Sequence, residues 1–155
     1  MNSKKKTLLK LVGLGVLVAI GVVVYMFNRP ARDVQNTKTD FSYNASDIVK
    51  EYLADSQKAN AKYLDEGGES KVLEITGIVE SISEDYNKQK VVMLKSPSDK
   101  AGVSCTFTAE TNASTNNVKI GDKVTIKGVI RSGASYDEDL EMYENVNIEK
   151  SDIVL

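Results

Sequence analysis

Chemistry in this 155-residue chain is limited first by a residue type it lacks, because there is no histidine. Without imidazole there is no Ser-His or Cys-His nucleophile pair, no imidazole-ligated zinc and no histidine-based response to pH. The one cysteine, Cys105, cannot close a disulfide within the chain and has no histidine to draw off its proton, so it reads as a buried strand cysteine. Acids are plentiful but scattered. Asp137, Asp139 and Glu141 alternate like the start of a calcium loop, yet Met142 stands where that loop needs glycine, and a solvated loop is the expectation. No carboxylate pair stands out for acid-base work. The chain is therefore expected not to be an enzyme, and neither cofactor nor metal is expected.

Recognition chemistry is what remains. Tyr86 in "EDYNKQK" and Tyr136 in "RSGASYDEDLE" are lone aromatic residues in polar stretches, able to stack on bases or sugar rings, while Lys88, Lys90 and Lys95 could supply positive charge. Tyr86, Lys88, Lys90 and Tyr136 are the candidate ligand-binding residues. Against a phosphate backbone stand Asp137, Glu138, Asp139 and Glu141, whose repulsion outweighs one or two surface lysines in screened solvent. The overall charge makes the same point. Residues 1–32 carry six Lys/Arg and no acid, leaving 14 Lys/Arg against 22 Asp/Glu in residues 33–155, a balance of −8. Such a domain repels polyphosphate. Nucleic acid is thus disfavoured as a partner. The leading expectation is no small ligand at all, with a sugar or peptide next; an envelope protein, a peptide or a glycan is the partner to consider.

The elements that must carry these residues begin with a membrane segment. After Lys4, Lys5, Lys6 and Lys10 the chain runs without a charge from Leu11 to Asn28, and with Leu8 and Leu9 it meets the ~20 apolar residues a bilayer core requires. No polar face interrupts it, as one would in a soluble core helix. A cleaved signal peptide is the rival, but around Tyr25–Pro30 no small-residue pair suits a peptidase and no lipidatable cysteine follows. We expect an uncleaved signal anchor contacting the membrane through residues 8–27. The lysines before it outnumber Arg29 and Arg32 behind it, placing the amino terminus in the cytoplasm and the rest outside. Gly15 and Ala19 offer one weak small-xxx-small spacing for helix pairing.

Residues 29–44 mix Pro, Asn, Thr, Asp and Ser and read as a flexible linker between the anchor, residues 1–28, and a domain over 45–155. Asn44, with Asp47 three residues on, predicts the N-cap of a helix running toward Gly67-Gly68, with Ile48, Tyr52, Ala59 and Tyr63 on one stripe as packing residues. Strands are predicted over Lys71–Ser83, Lys90–Ser96, Gly102–Thr108, Val118–Ile130 and a last run, "LEMYENVNIEKSDIVL", with Leu140, Met142, Val146 and Ile148 on one face. "TAETNASTNN" is too polar for a strand and predicts a loop with at most a short helical turn. Gly77 and Gly128 sit inside strands, where glycine permits the bend a small Greek-key barrel needs. In such barrels ligands bind on strands 2 and 3 and on the loops after strands 1 and 4, where Tyr86 and Tyr136 fall.

These segments carry a resemblance. The helix "EYLADSQKANAKYLD", the strands "LEITGIV" and "VSCTF", the turn and strand "VKIGDKVTIKG" and the terminal "LEMYENVNI" are similar, in order and spacing, to the tRNA_anti-like family of OB-fold proteins, over roughly residues 45–149. The resemblance implies small bacterial envelope-associated domains, and the family name reflects likeness to anticodon-binding domains rather than binding of tRNA. Family members often carry a second cysteine near the final strand, where this chain has Asn145, Val146 and Asn147. The expectation is an α+β protein: one transmembrane helix, a packing helix and a five-stranded OB-fold-like Greek-key barrel. Its expected role is a binding or assembly module of the cell envelope, with a single-stranded nucleic-acid-binding domain as the alternative.

Overall fold

A computed structural model describes residues 3–28 and 30–155. Arg29, one of the flanking cations counted above, and the side chains of Leu8 and Leu9 lie outside the described residues. Two compact units divide the chain at Arg32.

The first unit is one helix, α1 (Ser3–Phe27). Its apolar residues from Leu11 to Phe27 are all exposed, so the run buries nothing within the protein. At 1.5 Å per residue, its 25 residues span about 37 Å, enough to cross a ~30 Å hydrocarbon core. Its length and composition suit a membrane anchor or a signal sequence.

The second unit is the barrel and its helices. Strands β2 (Val72–Glu84), β3 (Lys90–Leu94) and β4 (Val103–Phe107) run antiparallel to one another, and β4 then pairs in parallel with β8 (Val146–Ile153). Strand β8 pairs with β5 (Lys123–Ser132), which returns to the first half of β2 and closes a five-stranded mixed barrel. The long β2 makes closure possible by changing partner along its length: Val72–Ile78 face β5, and from Val79 onward the strand faces β3 across a register shift. Gly77 lies next to that switch. Gly128 lies at a second register shift, between Lys127 and Val129, where a Cβ would overlap Ile148 and approach the Glu149 carbonyl.

Alternation puts Leu73, Ile75 and Val79 of β2, Val103, Cys105 and Phe107 of β4, and Ile126 and Ile130 of β5 inside, all essentially free of solvent. Cys105 is buried as expected, and desolvation pushes its thiol pKa well above the ordinary value. A short 3-10 helix (Asn112–Asn117) fills the polar stretch between β4 and β5.

Three readings from sequence change. The helix expected to run on from Asn44 is broken into α2 (Ala45–Ala54) and α3 (Ser56–Tyr63), because Asp55 adopts extended backbone and its Oδ1 accepts the Lys58 N–H at 3.0 Å as the cap of α3. Asn44 stands at the N-cap position of α2 with extended backbone, as expected, but its side chain makes no capping hydrogen bond. Its amide donates instead to the Asp47 carboxylate at 3.0 Å. The predicted stripe of Ile48, Tyr52, Ala59 and Tyr63 is buried throughout.

The residues read as a linker carry structure from Asp33 onward. Val34 packs on the outer faces of Val72 and Val129, Gln35 donates to the carbonyls of Lys127 (3.2 Å) and Lys150 (2.7 Å), and β1 (Phe41–Asn44) pairs in parallel with β2 from Leu73 to Thr76. The last predicted strand is two elements. β7 (Met142–Glu144) folds back on β6 (Ser135–Asp137) as a hairpin, which leaves Leu140 and Met142 exposed, and β8 alone joins the barrel.

Candidate functional site

The hairpin decides where recognition residues gather. Asp137 closes its turn by accepting the N–H groups of Asp139 and Leu140, both at 2.9 Å, so this carboxylate serves the backbone. Across the hairpin Tyr136 pairs with Tyr143, their rings 4.8 Å apart and inclined at 53°. The Lys100 ammonium lies 5.5 Å from the Tyr143 ring centre. Lys100 is placed by the β3–β4 connection, where Asp99 accepts hydrogen bonds from Ser46 of α2 (2.6 Å) and from the Ser96 N–H (3.1 Å).

Opposite the hairpin stands the kink between α2 and α3. Together they enclose a groove of about 630 Å³ lined by Tyr52 to Gln57, Lys100, Ala134 to Tyr136 and Tyr143. Tyr52 is its most buried aromatic residue, at 1% exposure. Its ring lies so close to Gly133 that a Cβ there would overlap it, which makes glycine a requirement at the β5–β6 joint. The Tyr52 hydroxyl is buried without a hydrogen-bond partner, and desolvation, aided by the Glu51 carboxylate, pushes its pKa up to about 12. Tyrosine faces, a lysine, a carboxylate and amide and hydroxyl groups around one groove can bind a polar molecule. The Ser135 hydroxyl at its edge donates to the Glu144 carboxylate.

The other sequence-predicted residues are placed elsewhere. Strand β3 runs antiparallel to β4 with Val91 opposite Thr106, so the β2–β3 turn holding Tyr86 and Lys88 lies at the end of β4. The hairpin precedes β8, whose Val146 lies opposite Val103, at the start of β4. Tyr86 and Tyr136 therefore sit at opposite ends of that strand and do not share the groove. Tyr86 is fully exposed, and Lys88 adopts a left-handed backbone (φ 60°) that closes the turn. Asn112 pins this turn by accepting the Lys90 N–H at 2.8 Å and donating to the Lys88 carbonyl at 2.9 Å. The Lys90 ammonium is held by Glu84 at 3.0 Å, and that of Lys95 lies 4.0 Å from Glu80. Strands β3 and β4 present Val91, Met93, Ser104 and Thr106 outward, with no aromatic ring on which a base could stack.

Tyr136 is singled out by the sequence and lines the groove, while Tyr143 is not, because it sits in a run that reads as one continuous strand, although two tyrosines flanking "DEDLEM" form a symmetric hairpin signal. Tyr52 reads as packing and does pack. Only the position of Gly133 and the kink at Asp55 bring it under the groove.

A closed five-stranded barrel of this strand order, with a groove at one end, defines an OB-fold-like binding module. The sequence matches the tRNA_anti-like family over residues 1–138, and the chain belongs to that family. Among solved structures, it is similar to a lipoprotein of Klebsiella pneumoniae subsp. pneumoniae named as a candidate nucleic acid-binding protein. The two share 15% identity and a TM-score of 0.54, over 82% of this chain and 100% of that one. At that identity the likeness concerns the fold. No curated protein matches the sequence.

Proposed function

We propose that this protein is a single-pass membrane protein of the bacterial cell envelope whose OB-fold-like domain binds or assembles a partner outside the cytoplasmic membrane, and that it catalyses no reaction. The observation that carries the reading is α1 itself: 25 residues whose apolar side chains from Leu11 to Phe27 are exposed, joined to an acidic domain with an open groove. Lipid is the solvent that suits such a helix. Four lysines at its amino-terminal end, ahead of the apolar run, favour a cytoplasmic amino terminus, with the domain periplasmic or extracellular. That the structural neighbour is a lipoprotein supports an envelope location. Against catalysis stand the absence of histidine and a buried Cys105 thiol held in its protonated form.

Single-strand nucleic-acid binding is the second reading, supported by the name of the neighbour. Two features weigh against it: the −8 balance of residues 33–155, and the ion-paired lysines and non-aromatic outer face of β3 and β4. Fractionation followed by crosslinking and co-purification from native membranes decides between them. The expected product resists extraction by alkaline carbonate, and its co-purified partner is unchanged by nuclease. A freely soluble product that retains RNA or DNA through a salt-sensitive contact would overturn the envelope reading.

A further inference from the structure

We propose that the groove between the α2–α3 kink and the β6–β7 hairpin binds a short uncharged saccharide, packed on the rings of Tyr136 and Tyr143; the proposal rests on reading this chain as an envelope binding module. A sugar ring offers two surfaces, C–H faces that pack on aromatic rings and a rim of hydroxyls that need hydrogen-bond partners. The groove supplies both: Tyr136 and Tyr143 on the hairpin side, Asp55 and Gln57 on the helical side. The 53° between the tyrosine rings denies a flat base the parallel walls it needs for a sandwich.

Charge narrows the class further. Lys100 is the one cation and Asp55 the one carboxylate among the lining residues, so the walls are neutral overall and complement neither a polyphosphate nor a strongly basic peptide. A peptide captured by strand addition needs a long free edge, and β6 and β7 have three residues each. At about 630 Å³ the groove lies within the ~300–1,000 Å³ usual for small-molecule sites.

The test is titration of the full chain in detergent micelles with maltotriose, cellotriose and chitotriose, read by saturation-transfer NMR and calorimetry. Saturable binding to at least one, with Kd of about 1 mM or tighter, is expected. Tyr136→Ala and Tyr143→Ala should each weaken it roughly three- to ten-fold. Tyr52→Phe is the control: it should leave affinity unchanged while Tm holds or rises, because the fold loses an unpaired buried hydroxyl. Unchanged affinity in both Tyr136→Ala and Tyr143→Ala would overturn the proposal, as would no saturable binding up to about 10 mM. A photocrosslinking residue at position 136 in native membranes separates the two levels. Capture of a protein without saccharide binding ends the saccharide proposal and keeps the module; neither binding nor capture ends both.

Discussion

Lys62 shows how a single charge can be used for structure where its surroundings resemble a binding site. Its ammonium lies 4.7 to 5.3 Å from the ring centres of Tyr63, Tyr43 and Phe41, and it donates to the Tyr43 hydroxyl and the Glu51 carboxylate, both at 2.9 Å. Three aromatic faces and a carboxylate form a cage for a cation, and the chain fills it with its own lysine. These bonds, led by the one to Tyr43, raise the Lys62 pKa well above the usual lysine value. Burial pushes the Glu51 pKa up, but the bonds from Tyr63 (2.6 Å) and Lys62 outweigh it and hold the carboxyl below its ordinary 4.5. A carboxyl whose folded pKa is depressed contributes its stability above the unfolded value and loses it as pH falls through the folded one. Glu51→Gln should therefore destabilise the domain at pH 7 by about 1 kcal/mol, a figure kept small because the pair is more than a third exposed on the lysine side. The gap from the parent chain should close as pH falls below 4.5. Urea unfolding of both chains at pH 7 and pH 3.5 checks this, and an equal gap at both values would show that the carboxylate charge is irrelevant.

At the level of elements, the segment from Asp33 to Asn44 binds the barrel through groups that a tether would leave in water. Val34 fills the outer cluster with Val72 and Val129, Gln35 satisfies two strand carbonyls, Asp40 accepts the Val72 N–H at 2.8 Å, and Thr39 donates to Glu74 at 2.7 Å. A chain beginning at Asp33 should melt cooperatively, and one beginning at Ala45 should lose about 3 kcal/mol or more, from the buried valine and several hydrogen bonds. Equal stability of the two in denaturant titrations would show that β1 is ornamental. This segment also marks the limit of what the sequence discloses. The barrel strands are legible because Val103, Cys105, Phe107 and their like alternate at period two. β1 is not, because Phe41 and Tyr43 stand among Asn, Thr, Asp and Ser, and the partner strand lies about thirty residues on. The helix break was legible in principle, since Asp55-Ser56 is itself a cap signal inside "LADSQKA". The groove is the hardest part to foresee. Lys100, Tyr52 and Tyr143 come from three distant segments, and only the closed barrel brings them together.

For the whole molecule, the proposed orientation rests on where charge sits along the chain. The amino-terminal part of α1 carries only basic charge, and residues 33–155 carry −8. The cytoplasmic leaflet surface is negative and attracts lysines at about 1 kcal/mol each, so Lys4, Lys5, Lys6 and Lys10 together outweigh Arg29 and Arg32 on the far side. Only cations close to the span count in this balance, because the acids of the domain contribute little to topology. A phosphatase fused after Leu155, active only outside the cytoplasm, should therefore be active on the parent chain. Replacing the four lysines with glutamine leaves the flanking side-chain cations, Arg29, Arg32 and Lys38, on one side of the span, and part of the population should invert, lowering phosphatase activity while total protein is unchanged. Intact mass of the membrane-fraction product distinguishes anchor from signal sequence at the same time, since a chain that still carries its first residues is held by α1 itself. Full phosphatase activity after removal of all four lysines would mean that something other than the flanking charge orients the helix.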